Sequence, residues 1–153
     1  MSGPDSKADW RRLRDLAEEK RDACTRALGG AIAAAQEAER KLQMLLDYQR
    51  EYGQRMAHAG AGGIAAERLQ NYRRFLAQLA RAVEQQRSVV ASTQGEVQRL
   101  QLALSVAQRS FESFQVLVER HDTAASIAQR REQQKQQDEY AARLLPRFIT
   151  GAD

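Results

Sequence analysis

The chain has 153 residues, 42% of them hydrophobic but only 6% aromatic, with two prolines, one cysteine and a formal charge of +4. That length suits a single domain, and the single cysteine excludes an internal disulfide framework and fits a reducing compartment. Ala, Leu, Arg, Glu and Gln dominate while β-branched residues are sparse, which favours helix and leaves little from which to build a sheet.

Residues 1–8 read as a disordered lead. They are polar and hold no apolar signal-peptide core. Asp5 or Asp9 can cap the helix that follows, because a carboxylate accepts from the free N–H groups of a first turn. No apolar run approaches the roughly 20 residues of a membrane span, so a cytoplasmic protein is expected.

The first helix is predicted over 9–57. Steps of seven from Trp10 pass through Ala17, Cys24, Ala31, Ala38, Leu45 and Tyr52, none of them charged. A companion seam starts at Leu13 and shifts to Leu28, Ala35, Leu42, Gln49 and Met56. A repeat of seven keeps one face on a partner when the helices supercoil left-handedly. Gly29 and Gly30 interrupt this helix, each costing about 1 kcal/mol relative to Ala. Small residues there let two helix axes approach closely; a bend point is the alternative.

Residues 58–63 read His-Ala-Gly-Ala-Gly-Gly and are expected to form a tight hairpin loop, since Gly is poor inside a helix and good at left-handed caps. A second helix is predicted over 64–145, stopped by Pro146, with 146–153 a disordered tail. Its seams are Leu69, Leu76, Val83, Val90, Val97, Leu104, Phe111, Val118 and Ala125, and Tyr72, Leu79, Gln86, Thr93, Leu100, Ala107, Phe114, His121 and Ala128. Such a run exceeds the three or four heptads that identify a coiled coil. Two apolar stripes joined by a short loop must bury each other, each Leu or Val being worth roughly 1.5–3 kcal/mol. The expected fold is therefore all-α, a long two-helix antiparallel coiled-coil hairpin with an extended C-terminal helix.

If Ala57 faces Ile64, opposed residues have numbers adding to about 121. Trp10 then lies level with Phe111, and the second helix overhangs its partner from about residue 112 by about 45 Å. An overhang that still carries apolar residues such as Phe114, Leu117, Val118, Ile127 and Tyr140 is frayed or docked in another protein.

No catalytic constellation, cofactor motif or metal site is visible. His58 and His121 are separated, and with one cysteine they fall short of an ordinary zinc ligand set. The glycines at 60–63 lack the Lys and Ser or Thr of a phosphate loop. Cys24 reads as a small packing residue, and His121 as a packing or pH-sensitive one. More informative are Asp-Tyr-Gln-Arg-Glu-Tyr at 47–52 and Asn-Tyr-Arg-Arg-Phe at 71–75. They bring Tyr48, Tyr52, Tyr72 and Phe75 together near the hairpin tip, where two helices cannot bury them all. Aromatics are enriched at interface hot spots.

The stretches 13–20, 45–52, 63–75 and 119–125 (LRDLAEEK, LLDYQREY, GIAAERLQNYRRF and ERHDTAA) resemble the flagellar export protein family FliJ. The similarity spans about Leu13 to Arg143. It implies a cytoplasmic, non-enzymatic, stalk-like part of the bacterial flagellar type III export apparatus, peripheral to the inner membrane and without cofactors. The implied partners are the hexameric export ATPase (FliI-like), the export gate protein (FlhA-like) and export chaperones. Carried over by position, the gate contact falls on Leu16, Tyr48, Tyr52, Phe75, Leu79 and Ala82, and Gln86 stands where the family often has His. The ATPase-facing region would be Trp10 to Asp15 and roughly Phe111 to Arg143, represented by Trp10, Leu13, Phe111, Phe114, Leu117, Val118, Ile127 and Tyr140.

Two alternatives remain at this stage. One is the stalk protein of a virulence type III system, which would share the fold. The other is a basic helical nucleic-acid factor built on Arg68, Arg73, Arg74, Arg81, Arg87, Arg99 and Arg109. Those charges scatter around the helix instead of forming a stripe, so no nucleic-acid partner is expected.

Overall fold

The computed structural model describes residues 7–63 and 65–149, with side chains described for 9–63 and 65–145. Two helices account for nearly all of it: α1, Lys7–Ala61, and α2, Ala66–Ile149. No strand occurs among the described residues. The all-α two-helix hairpin is the observed architecture.

Helix α1 starts two residues before the expected boundary, with Asp9 inside its first turn, where a carboxylate favours the positive end of the helix dipole. Asp5 and most of the predicted lead lie outside the described residues. At its other end α1 does not stop at Ala57. His58, Ala59, Gly60 and Ala61 all continue the helix, because alanines on either side offset the single glycine. Among the described residues of the turn the left-handed one is Gly63, whose φ is 74°. The Gly62 amide donates to the carbonyls of His58, 3.3 Å away, and Ala59, 3.2 Å away, closing the last turn. Ile64 lies outside the described residues, and α2 begins at Ala66 rather than at 64.

That four-residue shift in where α1 ends moves the register. With Ala61 and Ala66 flanking the turn, opposed residues add to about 127 rather than the expected 121.

Contacts divide the chain into two compact units. The tip unit is Arg21–Val106 and the terminal unit is Met1–Lys20 with Ala107–Asp153. Within the tip unit the two seams meet as the heptads require. Ala38, Leu79 and Val83 are buried, and Cys24, Leu28, Leu42, Leu45, Val90, Val97, Leu100 and Leu104 are half-buried. Gln86, polar in the seam, donates its amide to the Ala38 carbonyl at 2.9 Å, and Gln94 donates to Glu39 at 3.0 Å. Both bonds cross between helices on adjacent residues of α1, and Gln86 thereby meets the rule that a buried polar group is hydrogen-bonded.

Within the terminal unit Ala17, Ala107 and Val118 are buried, and Arg11 donates to Asp122 at 3.3 Å. From Thr123 to Arg143 every side chain is exposed. The uncovered part of α2 thus begins after Asp122, about ten residues later than the expected 112. The physical reason is the longer α1, which carries its N-terminal turns further along α2. Backbone helix also continues through Pro146 to Ile149, where the expectation had Pro146 ending it. Proline removes one N–H donor, whose acceptor would be the carbonyl of Ala142, and Ala142 is exposed, so water can satisfy that oxygen in a last turn.

Candidate functional site: an aromatic surface and an uncovered helix

Heptad position sets where each tip aromatic points. Tyr52 and Tyr72 occupy seams and are half-buried, whereas Tyr48 and Phe75 flank them and are exposed. The Tyr52 and Phe75 rings meet across the two helices, centroids 4.5 Å apart and planes tilted by 57°. That separation lies in the range where aromatic pairs attract beyond their burial. Arg55 sits with its guanidinium carbon 5.2 Å from the Tyr52 centroid while donating to Glu51 at 2.8 Å. A groove of about 320 Å³ is lined by Tyr52, Arg68, Asn71, Tyr72 and Phe75. Tyr72 also borders a second concavity of about 590 Å³, with Glu51, Gln54, Arg55, His58 and Ala59.

Phe75 remains 38% exposed and Tyr48 45% exposed. Leu79, by contrast, is 8% exposed and Ala82 half-buried. These two therefore offer little surface themselves. Leu16 is exposed, but it belongs to the terminal unit and is not among the residues lining the groove. In the sequence Arg68 stands out only as one of the scattered basic charges and Asn71 only as the first residue of the 71–75 motif; neither is assigned to an aromatic site. Their signal was spacing, since each stands four residues before an aromatic, Tyr72 and Phe75, and so shares its face. Met44, exposed and four before Tyr48, extends the same stripe on α1 by the same rule.

In the terminal unit the eight residues assigned to ATPase contact separate into two groups. Trp10, Leu13, Phe111, Phe114 and Leu117 are half-buried and Val118 is 4% exposed, so these six build the seam where α1 covers α2. Ile127 and Tyr140 are exposed on the uncovered stretch, with Tyr140 at 66%. His121 marks the last half-covered turn, and its Nδ1 is buried without a hydrogen-bond partner. Cys24 is half-buried in the tip-unit seam. Exposed apolar residues that the sequence reading passed over include Leu102 and Val106 on the outer face of α2. Among the described residues no helix is long and apolar enough to cross a membrane.

A sequence profile described as "Flagellar FliJ protein" matches residues 7–147. The chain belongs to the flagellar FliJ family. It is 36% identical over 138 residues to the flagellar FliJ protein of Salmonella typhi, covering 88% of this chain and 92% of that protein. To the flagellar FliJ protein of Escherichia coli strain K12 it is 35% identical over the same length, with the same coverage of both chains. The FliJ match takes in both helices and the turn, so the aromatic groove and the uncovered stretch of α2 both lie inside it.

Proposed function

We propose that this FliJ-family chain is a non-enzymatic linker of the flagellar type III export apparatus. In this reading the terminal unit docks into the hexameric export ATPase, the aromatic surface of the tip unit meets the export gate protein, and the chain escorts export chaperones. It works in the cytoplasm, peripherally at the inner-membrane export apparatus.

One observation carries the reading: apolar surface that two helices cannot cover occurs in two separate places of different character. Tyr52, Tyr72 and Phe75 form a compact aromatic patch with a groove, and Tyr48 stands exposed one turn before Tyr52 on α1. The stretch from Thr123 to Arg143 is a single uncovered helix carrying Ile127 and Tyr140. A compact aromatic patch suits a hot-spot contact, while an uncovered helix with Ile127 and Tyr140 on either side of the polar run 129–139 offers a second, mainly polar surface to a partner. A chain with two such surfaces and a seam between helices can hold two partners at once.

The test is a paired pull-down with the cytoplasmic domain of the gate protein and with the export ATPase. Phe75→Ala is expected to lower gate binding at least tenfold with ATPase binding unchanged, and removal of residues 123–153 is expected to do the reverse. Equal loss in both arms for either change, or binding of the unaltered chain to neither partner, contradicts the proposal.

A further inference from the structure

We propose that the tip unit contains a built-in flexure at Gly29–Ala38 of α1 and the facing Val89–Gln98 of α2, where the helix pair bends more readily than elsewhere. This inference does not rest on the identity of any partner.

Three glycines lie at one level of the helix pair. Counted back from the turn, Gly29 and Gly30 come level with about Gln98 and Val97, and Gly95 with about Ile32. All three are exposed. A Cβ built at any of them meets nothing within 4 Å, and none has a positive φ. The sequence offers two readings of Gly29 and Gly30, close approach of the helix axes and a bend point. The first fails for these glycines, because a methyl group would sit in open space. Nothing in the packing or the backbone angles of the unit requires glycine at these positions, yet each lowers helix stability relative to Ala. What glycine does supply is backbone freedom, and Gly/Ser positions are among the few recognised causes of helix bending.

Two further features weaken the same level. The α1 seam there consists of Ala31, Ala35 and Ala38, so the side-chain contacts that hold the axes together are thinner than at the leucines on either side. Opposite them Thr93 occupies a seam position of α2, and its hydroxyl donates to the Val90 carbonyl at 2.9 Å. Such back-bonding within a helix draws on the carbonyl of the preceding turn and favours bending. The cross-helix bond from Gln86 to Ala38 holds the pairing at the tip-side edge of the zone, and that from Gln94 to Glu39 holds it from within. Softness of the backbone is thus combined with retained register.

The experiment is a spin-label distance measurement on the full chain in a Cys24→Ser background. Labels at Ala23 and Gln43, both exposed, bracket the zone on α1 about 30 Å apart. In the combined Gly29→Ala, Gly30→Ala, Gly95→Ala variant the distance distribution is expected to narrow roughly twofold. Amide exchange in the zone is expected to slow by about fivefold for each glycine replaced. Gly53→Ala is the control, because Gly53 also has open space around it but lies outside the bracket. It is expected to slow exchange locally and leave the distribution unchanged. Thr93→Val supplies an independent variant and is expected to narrow the distribution to a smaller degree. An unchanged width in the triple variant, or equal narrowing in the Gly53 control, overturns the proposal.

Discussion

Within the terminal unit α2 passes from a covered region to an uncovered one without any break in the helix. In the covered part the two seams deliver Phe111, Val118, Phe114 and His121, all buried or half-buried. One heptad later the same two seams deliver Ala125 and Ala128, both exposed, and the next steps bring Glu132, Lys135 and Glu139. A heptad phase can therefore outlast the partner it once served. Cover ends where seam positions lose volume and acquire charge, since an unpaired charge in a seam is costly and one in water is not.

Mutations that place the same charge on either side of that boundary give the sharpest contrast. Val118→Asp, in the covered part, is expected to destabilise by roughly 3 kcal/mol or more, seen as a large fall in the midpoint of urea unfolding. Val97→Asp is expected to do the same to the tip unit, because Val97 sits in its seam. Should either variant unfold at the midpoint of the unaltered chain, the seam assignment is wrong. Leu79→Ala, a truncation rather than a charge, is expected to cost about 2–3 kcal/mol.

Smaller effects are expected where side chains are half in water. Phe75→Ala and Tyr52→Ala each lose one ring of the Tyr52–Phe75 pair, worth about 0.5–1.5 kcal/mol beyond burial. Circular dichroism is expected to show near-normal helicity in both, while gate binding falls. A large drop in melting temperature would reassign these rings to the core. On the uncovered side of the boundary, Ile127→Asp is expected to change stability by no more than about 0.5 kcal/mol, and on the proposed docking to lower binding of the export ATPase instead.

The smallest effect concerns a surface pair. Arg99 donates to Glu96 at 2.9 Å and holds the Glu96 carboxyl below its ordinary range. A depressed carboxyl contributes stability above its unfolded-state pKa and loses it as pH falls through the folded value. Both groups are fully exposed to solvent, which screens such pairs, so Glu96→Gln is expected to leave the acid limb of the stability profile unchanged within error. A visible shift of that limb would mean that the pair is shielded in solution.

Much of this was legible in the residues themselves. Every predicted seam position of both helices from Trp10 to Met56 and from Leu69 to His121 turned out buried or half-buried, because a repeat of seven leaves one face no alternative to a partner. The aromatic patch was legible for the same reason, as Tyr48 and Phe75 fall just off the seam. What could not be read was where α1 ends. Three glycines in four positions read as a loop, whereas Gly60 stays helical and, among the described residues, Gly63 is the left-handed one of the turn. That difference moved the register by about six and the start of the uncovered stretch by about ten residues. The charged steps at Glu132 and Lys135 were the available signal. Of the eight residues assigned to ATPase contact, Ile127 and Tyr140 lie beyond the shifted boundary and the other six before it.

Hydrogen exchange along α2 tests the central claim most directly. In the free chain, amides from Ala107 to about His121 are expected to be protected and those from Thr123 to Arg143 to exchange rapidly, since an uncovered helix has no packed side chains to hold its hydrogen bonds closed. Addition of the hexameric export ATPase is expected to slow exchange in Thr123–Arg143. Equal protection on both sides of Asp122 in the free chain would contradict the account.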